Sequence, residues 1–201
     1  MGVNPRASHA ELVTNLEVDV VDEQSRKNVN QGVSMGNNDQ LPEGDAGKII
    51  VGRPLSPTRR DCEWLAALFD DYRVHHGESA STAEASRWLE ENLVHGSLEA
   101  FVATDDGVLT GFALVAVIPA SLRLGRFWQI RDLFVSPSYR HRGIGGKILN
   151  VISGAAATSG ALRVSLQTES DNETALRLYA RHGYSMLEGY QSLFVDLPVA
   201  H

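Results

Sequence analysis

The segment from Phe127 to Gly146 constrains the fold of this chain more than any other. Its first part is rich in β-branched and aromatic residues, which predicts a strand, and Ser136-Pro137-Ser138 then has the composition of a turn. A basic, glycine-rich stretch follows, after which Ile148, Leu149 and Ile152 stand at helical spacing. The segment therefore predicts a strand, a loop and a helix that begins among glycines.

The glycine-rich stretch from Arg140 to Gly146 predicts an anion site. A helix that begins in glycines directs unpaired backbone N–H groups and the positive end of its dipole toward whatever lies in front of it, which suits phosphate. From Ser121 to Lys147 the chain carries six Lys or Arg residues and one acidic residue, Asp132, whereas the whole protein has a net charge of −7. The positive charge is therefore local.

Two common phosphate-binding loops do not match this stretch. A P-loop requires Ser or Thr after its Gly-Lys, but Ile148 follows Lys147 here and cannot ligate magnesium. A dinucleotide fingerprint requires G-x-G-x-x-G, and Gly143, Gly145 and Gly146 have a different spacing. The remaining pattern, Arg-x-x-Gly-x-Gly after a strand, resembles the acyl-CoA pyrophosphate loop of the GNAT superfamily of N-acetyltransferases.

A second motif follows downstream. Residues 161–168 alternate apolar and polar side chains, which predicts a strand with one buried face. A short helix is predicted next, with Asp171 or Asn172 as its N-cap and Gly183 at its end. One face of that helix carries Ala175, Leu178 and Tyr179. The string N-x-x-A-x-x-L-Y-x-x-x-G-Y over residues 172–184 resembles the second hallmark of the same superfamily.

The elements upstream stand in the order of that superfamily. Strands are predicted for residues 48–51, 99–104 and 108–117, and a closing pair for residues 185–187 and 191–197. A first helix begins at Ser56-Pro57-Thr58, and the capping-box pattern Ser81-Thr82-Ala83-Glu84 begins a second. The apolar face of the first helix carries Leu65, Leu68, Phe69 and Tyr72. The resemblance implies an α/β fold with a single mixed, mostly antiparallel sheet, splayed between its central strands and flanked by helices on both faces.

Composition predicts two parts in the chain. Residues 1–46 contain no Phe, Trp or Tyr and carry three Lys or Arg against eight Asp or Glu, so we expect an acidic, mostly disordered extension. Residues 12–21, which partly alternate, could add a strand or a helix, and Met35 offers an alternative translation start. Residues 47–201 are expected to form the GNAT domain.

The sequence also favours a cytoplasmic protein. It has no run of 18 apolar residues and no charged segment followed by an apolar one at its N-terminus, so neither a transmembrane helix nor a signal peptide is expected. A single cysteine, Cys62, excludes an internal disulfide and suits a reducing compartment. We expect its thiol to be packed and inert.

The resemblance implies acetyl-CoA as co-substrate and no metal, and it implies roles for individual residues. The pyrophosphate would be bound by the loop Arg140, His141, Arg142, Gly143, Ile144, Gly145 and Gly146. Leu133, Phe134 and Val135 would offer strand backbone to the pantetheine arm, with one N–H holding the thioester oxygen. Asn172 would contact the cofactor. Tyr179 would be the general acid that protonates the CoA sulfur, since a phenol with a pKa near 10 can protonate a thiolate.

The proton acceptor is less well defined. Asp132 is the only acid on the central strand, and strand alternation predicts that it shares a face with Ile130 and Phe134. It is a candidate base acting through water, and Glu169 is the alternative. Residues 131–135 resemble polyamine acetyltransferases, which have a Glu-Asp pair there. Arg131 replaces that Glu, and a guanidinium repels a cationic amine and cannot act as a base, which counts against a polyamine substrate.

Each of these residues also has a purely structural interpretation. Tyr179 could be a core tyrosine, and Asp132 could pair with Arg131 or cap an element. His141 stands where many relatives have Gly, and we expect cofactor binding to tolerate it. His75-His76 could suggest a metal site, although lining the substrate mouth is the better interpretation. Trp64 and Trp88 are expected in the core, and a nucleic-acid surface is not expected.

Three function classes remain open at this point. The first is transfer of an acetyl group from acetyl-CoA to the primary amine of a small molecule by direct attack. The second is acetylation of a protein N-terminus or lysine, and the third is a non-catalytic acyl-CoA-binding module. Tyr179 and Asn172 argue against the third. No membrane partner is expected, and a homodimer is the oligomer that the resemblance implies, since small members of the superfamily are frequently dimers.

Overall fold

The computed structural model describes residues 49–52, 57–96, 98–189, 193, 195 and 197. Strands and α-helices follow one another as β1 (Ile49–Gly52), α1 (Arg59–His75), α2 (Thr82–Leu89), β2 (Leu98–Asp105), β3 (Val108–Ala120), β4 (Gly125–Val135), α3 (Ile144–Thr158), β5 (Val164–Leu166) and α4 (Glu173–Arg181). The chain forms two compact units that divide between Gln167 and Thr168. The predictions for residues 1–46 lie outside the described residues.

A single sheet with the strand order β1-β2-β3-β4-β5 forms the centre of the first unit. The first three pairings are antiparallel, and β5 joins β4 in parallel. The turn between β2 and β3 has positive φ at both Asp106 and Gly107, which suits a two-residue hairpin loop. The mixed, mostly antiparallel sheet that the sequence predicted is confirmed.

Helices cover both faces of this sheet. The face toward α1 and α2 buries alternate residues of the central strands, such as Val102, Phe112 and Leu114, against the apolar side of α1. The opposite face packs against α3. Gly111 of β3 shows this, since a Cβ at this residue would lie 3.3 Å from Ile144 Cγ2 and 3.4 Å from Ile148 Cδ1. Neighbouring residues of β3 therefore face different helices, as the period of a strand requires.

A β-bulge in β4 corrects one prediction. Asp132 lies opposite Leu114, but the next residue of β3, Val115, lies opposite Ile130, so Arg131 is an extra residue in β4. Ile130 therefore faces α3, whereas Asp132 and Phe134 face α1. The prediction that Asp132 shares a face with both Ile130 and Phe134 is wrong for Ile130, because simple alternation does not hold across a bulge.

The fifth strand is shorter than predicted. Residues 161–168 were expected to be extended, but only Val164–Leu166 form the strand. Its partners in β4 are Trp128, Gln129 and Ile130. The ladder between these strands stops where the bulge begins. Residues 131–135 therefore have no strand partner on the β5 side in the part of the chain that the structure describes.

The connection between α1 and α2 differs from the predicted capping box. Ser81 is the N-cap of α2, but its side chain makes no cap hydrogen bond. Instead, the Ser81 N–H donates to Asp70 Oδ1 at 3.1 Å and the Thr82 hydroxyl donates to Asp70 Oδ2 at 3.1 Å. The capping-box prediction is wrong because a buried carboxylate of the neighbouring helix takes the place of Glu84.

The tryptophans are less buried than predicted. Trp88 stacks on Phe69 with ring centroids 5.3 Å apart, yet 40% of it remains exposed. Trp64 is partly buried against the same cluster. The two rings cover the edge of the core instead of filling its centre.

The second unit contains α4. Of the two N-caps predicted, Asp171 and Asn172, the structure has Asn172, which accepts a hydrogen bond from the Ala175 N–H at 3.1 Å. Gly183 follows the C-cap with a φ of +81°, which confirms it as the end of the helix. Residues 185–187 form no strand, so that prediction is wrong; their expected partner, residues 191–197, falls largely outside the described residues.

Candidate functional site

The loop after β4 is tied to the sheet by backbone and side-chain contacts. The Ser136 N–H donates to the Thr110 carbonyl at 2.9 Å, and the turn Pro137–Tyr139 follows. Arg140 Nε then donates to the Val135 carbonyl at 3.0 Å, and its guanidinium carbon lies 5.6 Å from the centroid of the Phe134 ring. Arg140 therefore fixes the loop to the last residues of the strand.

The start of α3 is open at Gly143. This residue is the N-cap, has a φ of +75° and supplies no side-chain cap. A Cβ at this position would meet nothing within 4 Å. The first N–H groups of an α-helix have no partner within the helix, and the positive end of the dipole adds to their attraction for anions. The geometry therefore fits a phosphate group at this end of α3.

His141 occupies a backbone conformation that favours glycine. Its φ is +65°, in the left-handed region. This explains why glycine suits the position, and it shows that the loop forms with histidine there. Its side chain is exposed, as is that of Arg142.

Arg142 is held on the loop by two contacts that the sequence did not predict. Its guanidinium carbon lies 5.1 Å from the centroid of the Tyr139 ring, and its Nη1 lies 3.4 Å from Asp105 Oδ2 at the end of β2. The other carboxylate oxygen of Asp105 is buried and has no hydrogen-bond partner among the described residues. The sequence gave no signal of this pairing, because the two residues are 37 positions apart.

The bulge brings Asp132 to the end of α1. The Tyr72 hydroxyl donates to Asp132 Oδ1 at 2.7 Å, and both side chains are half-buried. Among the described residues, no cationic nitrogen lies within ion-pair distance of Asp132, so the pairing with Arg131 that the sequence left open does not form. Tyr72 had been predicted only as part of an apolar helix face. Its periodic position did not indicate that its hydroxyl would hydrogen-bond to Asp132.

Aromatic rings surround this pair. The Tyr72 ring centroid lies 4.7 Å from that of His76, 5.6 Å from that of Phe134 and 5.7 Å from that of Phe112. The ring centroid of His75 lies 5.9 Å from that of Phe134. The histidine pair therefore belongs to an aromatic cluster, and the described residues contain no group of three His, Cys, Asp or Glu side chains that could hold a metal ion.

Two predicted residues lie in the second unit. Asn172 uses its side-chain oxygen to cap α4. Tyr179 is half-buried, with its ring centroid 6.0 Å from that of Tyr184. Burial, followed by the neighbouring Tyr184 and Glu169, raises the pKa of Tyr179 above its ordinary value. The phenol is therefore kept protonated at neutral pH, as an acid requires.

None of the helices in the described ranges is long and apolar enough to cross a lipid bilayer.

Known structures share this fold. The structure superposes on a probable acetyltransferase with a TM-score of 0.68 and 23% identity, covering 76% of this chain and 99% of the other. An aminoglycoside acetyltransferase from an uncultured soil metagenomic sample, solved with trehalose, gives a TM-score of 0.62 at 20% identity, over 75% of this chain and 97% of the other. At these identities the similarity establishes the fold.

Curated relatives add sequence similarity. An uncharacterized N-acetyltransferase, YhfO, of Bacillus subtilis (strain 168) is 29% identical over 138 residues, which is 69% of this chain and 93% of the relative. A mycothiol acetyltransferase of Kineococcus radiotolerans is 32% identical over 53% of this chain and 35% of its own length. A streptothricin acetyltransferase of Streptomyces lavendulae is 30% identical over 49% of this chain and 57% of its own length.

The sequence matches the acetyltransferase (GNAT) family over residues 63–184, which is more than half of the chain and spans both the glycine-rich loop and Tyr179. The chain therefore belongs to the GNAT family of acetyltransferases.

Proposed function

We propose that the protein transfers an acetyl group from acetyl-CoA to the primary amine of a small molecule by direct attack. The observation that carries this proposal is the open start of α3 at Gly143, which follows a strand whose outer edge has no ladder partner in the described residues. Backbone N–H groups at Ile144, Gly145 and Gly146 fit a pyrophosphate, and the cationic side chains of Arg140 and Arg142 flank it.

The strand contributes a second part of the donor site. Residues 133–135 lie beyond the end of the β4–β5 ladder, so their backbone is suited to hydrogen-bond an extended amide-containing arm in the manner of an added strand. A backbone N–H in this stretch holds the thioester oxygen in the proposed mechanism. Bound acetyl-CoA would supply the activated acetyl group.

Two side chains handle protons in this proposal. Asp132 takes the proton of the acceptor amine through a water molecule, and Glu169 is the alternative base. Tyr179 donates a proton to the departing sulfur, for which its raised pKa keeps the phenol in the acid form. The hydroxyl of Tyr72 holds Asp132 in place at 2.7 Å.

A small amine is favoured as the acceptor. Two relatives are named for small molecules, mycothiol and streptothricin, and a structure with the same fold is an aminoglycoside acetyltransferase. Arg131 beside Asp132 disfavours acceptors with several positive charges, as the sequence already indicated.

A thiol-release assay tests the proposal. Purified protein is incubated with acetyl-CoA and a panel of amines, aminoglycosides and peptides, and the acetylated product is identified by mass. Cys62 should not add background, because it is 0% exposed and burial raises its pKa to about 11. We expect thiol release that depends on a small amine. Release with peptides alone would favour a protein acceptor, and acetyl-CoA binding without release from any acceptor would favour a non-catalytic module.

A further inference from the structure

We infer that Asp132 and Tyr72 form the subsite that receives the acceptor's ammonium group, which makes the acceptor a cationic amine with an apolar or aromatic group next to its nitrogen. Tyr72 acts as a positioning residue in this subsite. The inference rests on the proposed function, because it names the acceptor class of the same site.

The first argument is the unbalanced charge of Asp132. Its Oδ1 is occupied by the Tyr72 hydroxyl at 2.7 Å, and no cationic side chain of the described residues pairs with it. A hydrogen bond from a neutral phenol orients a carboxylate but leaves its negative charge in place. The second oxygen, Oδ2, is therefore available to a cation from outside the protein, either directly or through the water molecule that carries the amine's proton.

The second argument is the surface next to this carboxylate. The ring centroids of Tyr72 and His76 lie 4.7 Å apart, and the centroid of the buried Phe134 ring lies 5.6 Å from that of Tyr72. Aromatic faces attract cations through their quadrupole and also accept apolar groups. A carboxylate beside aromatic rings therefore suits an ammonium on an apolar carbon skeleton better than a neutral or anionic group.

The third argument is the position at the end of α1. Tyr72 lies in the last turn of this helix, which ends at His75. The negative end of a helix dipole stabilises nearby positive charge. The dipole and the carboxylate therefore act in the same direction on a bound ammonium.

The bulge at Arg131 is what places these groups together. Without the extra residue, strand alternation would keep Asp132 on the same face as Ile130, which lies toward α3. With it, Asp132 moves to the face of Leu114 and Phe134, within reach of Tyr72. The subsite thus depends on a single irregularity in the central strand.

The test compares a cation with its neutral counterpart by calorimetry at pH 8, with CoA present so that no turnover occurs. Benzylamine is the cationic probe and benzyl alcohol the neutral one. We expect benzylamine to bind at least about tenfold more tightly to the parent protein, since the charge is met by a carboxylate. Equal affinities would overturn the inference.

Three variants test which side chains cause the preference for benzylamine. Asp132→Asn should remove the preference for benzylamine, and Asp71→Asn, which removes an exposed carboxylate of α1, should retain it. Tyr72→Phe keeps the ring but loses the hydroxyl, so the preference should fall by about threefold to tenfold. If Asp132→Asn keeps the preference, the inference is wrong; if Tyr72→Phe matches the parent protein, its positioning role is wrong.

These readouts separate the inference from the proposed function. Calorimetry of the two probes does not need acetyl transfer, so a protein that prefers benzylamine through Asp132 but releases no thiol with any amine contradicts the proposed function alone. A protein that acetylates amines without this preference contradicts the inference alone. In an active enzyme, Tyr72→Phe should also raise the KM for the amine while leaving the KM for acetyl-CoA unchanged.

Discussion

The two halves of the proposed site that lie in the first unit are built in different ways. The donor side, from Arg140 to Gly146, consists of backbone N–H groups at the start of α3 and exposed cationic side chains. The acceptor side consists of side chains from α1 and β4 that meet across 60 positions of sequence, as Tyr72 and Asp132 do. A site built from backbone groups should tolerate most substitutions that preserve its conformation. A site built from side chains should lose function when a substitution removes a single atom from one of them.

The largest kinetic effect should come from Tyr179, which belongs to neither half. Tyr179→Phe removes the proposed acid and should lower kcat by about 100-fold or more. Cofactor affinity should stay unchanged, because the interaction is made only as the sulfur departs. Steady-state kinetics and acetyl-CoA calorimetry measure the two effects separately, and a variant as fast as the parent protein would assign the acid elsewhere.

The same residue should set the alkaline limit of the reaction. The pKa of Tyr179 is raised, so its acid form persists to a higher pH than in a free tyrosine. The parent protein's kcat should therefore fall only at a pH above the pKa of a free tyrosine. A loss of kcat that begins well below this value would contradict the assignment.

Acid should weaken the contact between α1 and the start of α2 through Asp70. The Ser81 N–H, the Thr82 hydroxyl and Arg73 all hydrogen-bond its carboxylate, and they lower its pKa. This stabilisation is present above the unfolded pKa of about 4 and is lost as the pH falls through the lower folded value. Asp70→Asn should therefore lower Tm at neutral pH and have little effect near pH 2.

A thermal unfolding series across this pH range checks the effect. The exposed Asp71→Asn is the matched control and should change Tm little at any pH. We expect the difference in Tm between Asp70→Asn and the parent protein to shrink in acid. If it does not, the charge of the carboxylate is not what holds α1 to the start of α2.

The smallest effect should come from His141 on the donor side. His141→Gly relieves a φ of +65° but adds freedom to the unfolded chain, so the free energy of unfolding should change by less than about 1 kcal/mol. Acetyl-CoA affinity should stay within about threefold. His141→Val is the contrasting variant, since a β-branched residue strongly disfavours this conformation and should reduce affinity.

These differences explain what could be predicted from sequence. The strand, loop and helix around Gly143 were predicted correctly because glycine, proline and apolar periodicity act over a few residues. The order of helices and strands from β1 to α4 followed for the same reason. The position of Asp132 relative to Ile130 was wrong, because a bulge is decided by the pairing of two whole strands and leaves no local signal at Arg131.

Contacts between distant residues were also missed. Asp70 replaces the predicted capping box of α2, and Asp105 pairs with Arg142 across 37 positions of sequence. Such contacts depend on how helices and strands pack, so a single sequence cannot reveal them. The strand at residues 185–187 was predicted as half of a closing pair, but residues 185–187 form no strand, and the predicted partner, residues 191–197, lies largely outside the described residues.

The most direct test of the account is an acetyl-CoA titration of two variants at one position. Gly143→Asn is neutral and tolerates a φ of +75°, whereas Gly143→Asp has nearly the same shape and adds a negative charge at the start of α3. A Cβ here has open space, and Asn and Asp are the residues after glycine that adopt this φ most readily, so the backbone strain should be similar in the two variants and should cancel in their comparison. We predict that Gly143→Asn retains acetyl-CoA binding within about tenfold and that Gly143→Asp shows none that calorimetry can detect. Binding by Gly143→Asp with the affinity of the parent protein would contradict the assignment of this loop as the site of the donor's pyrophosphate.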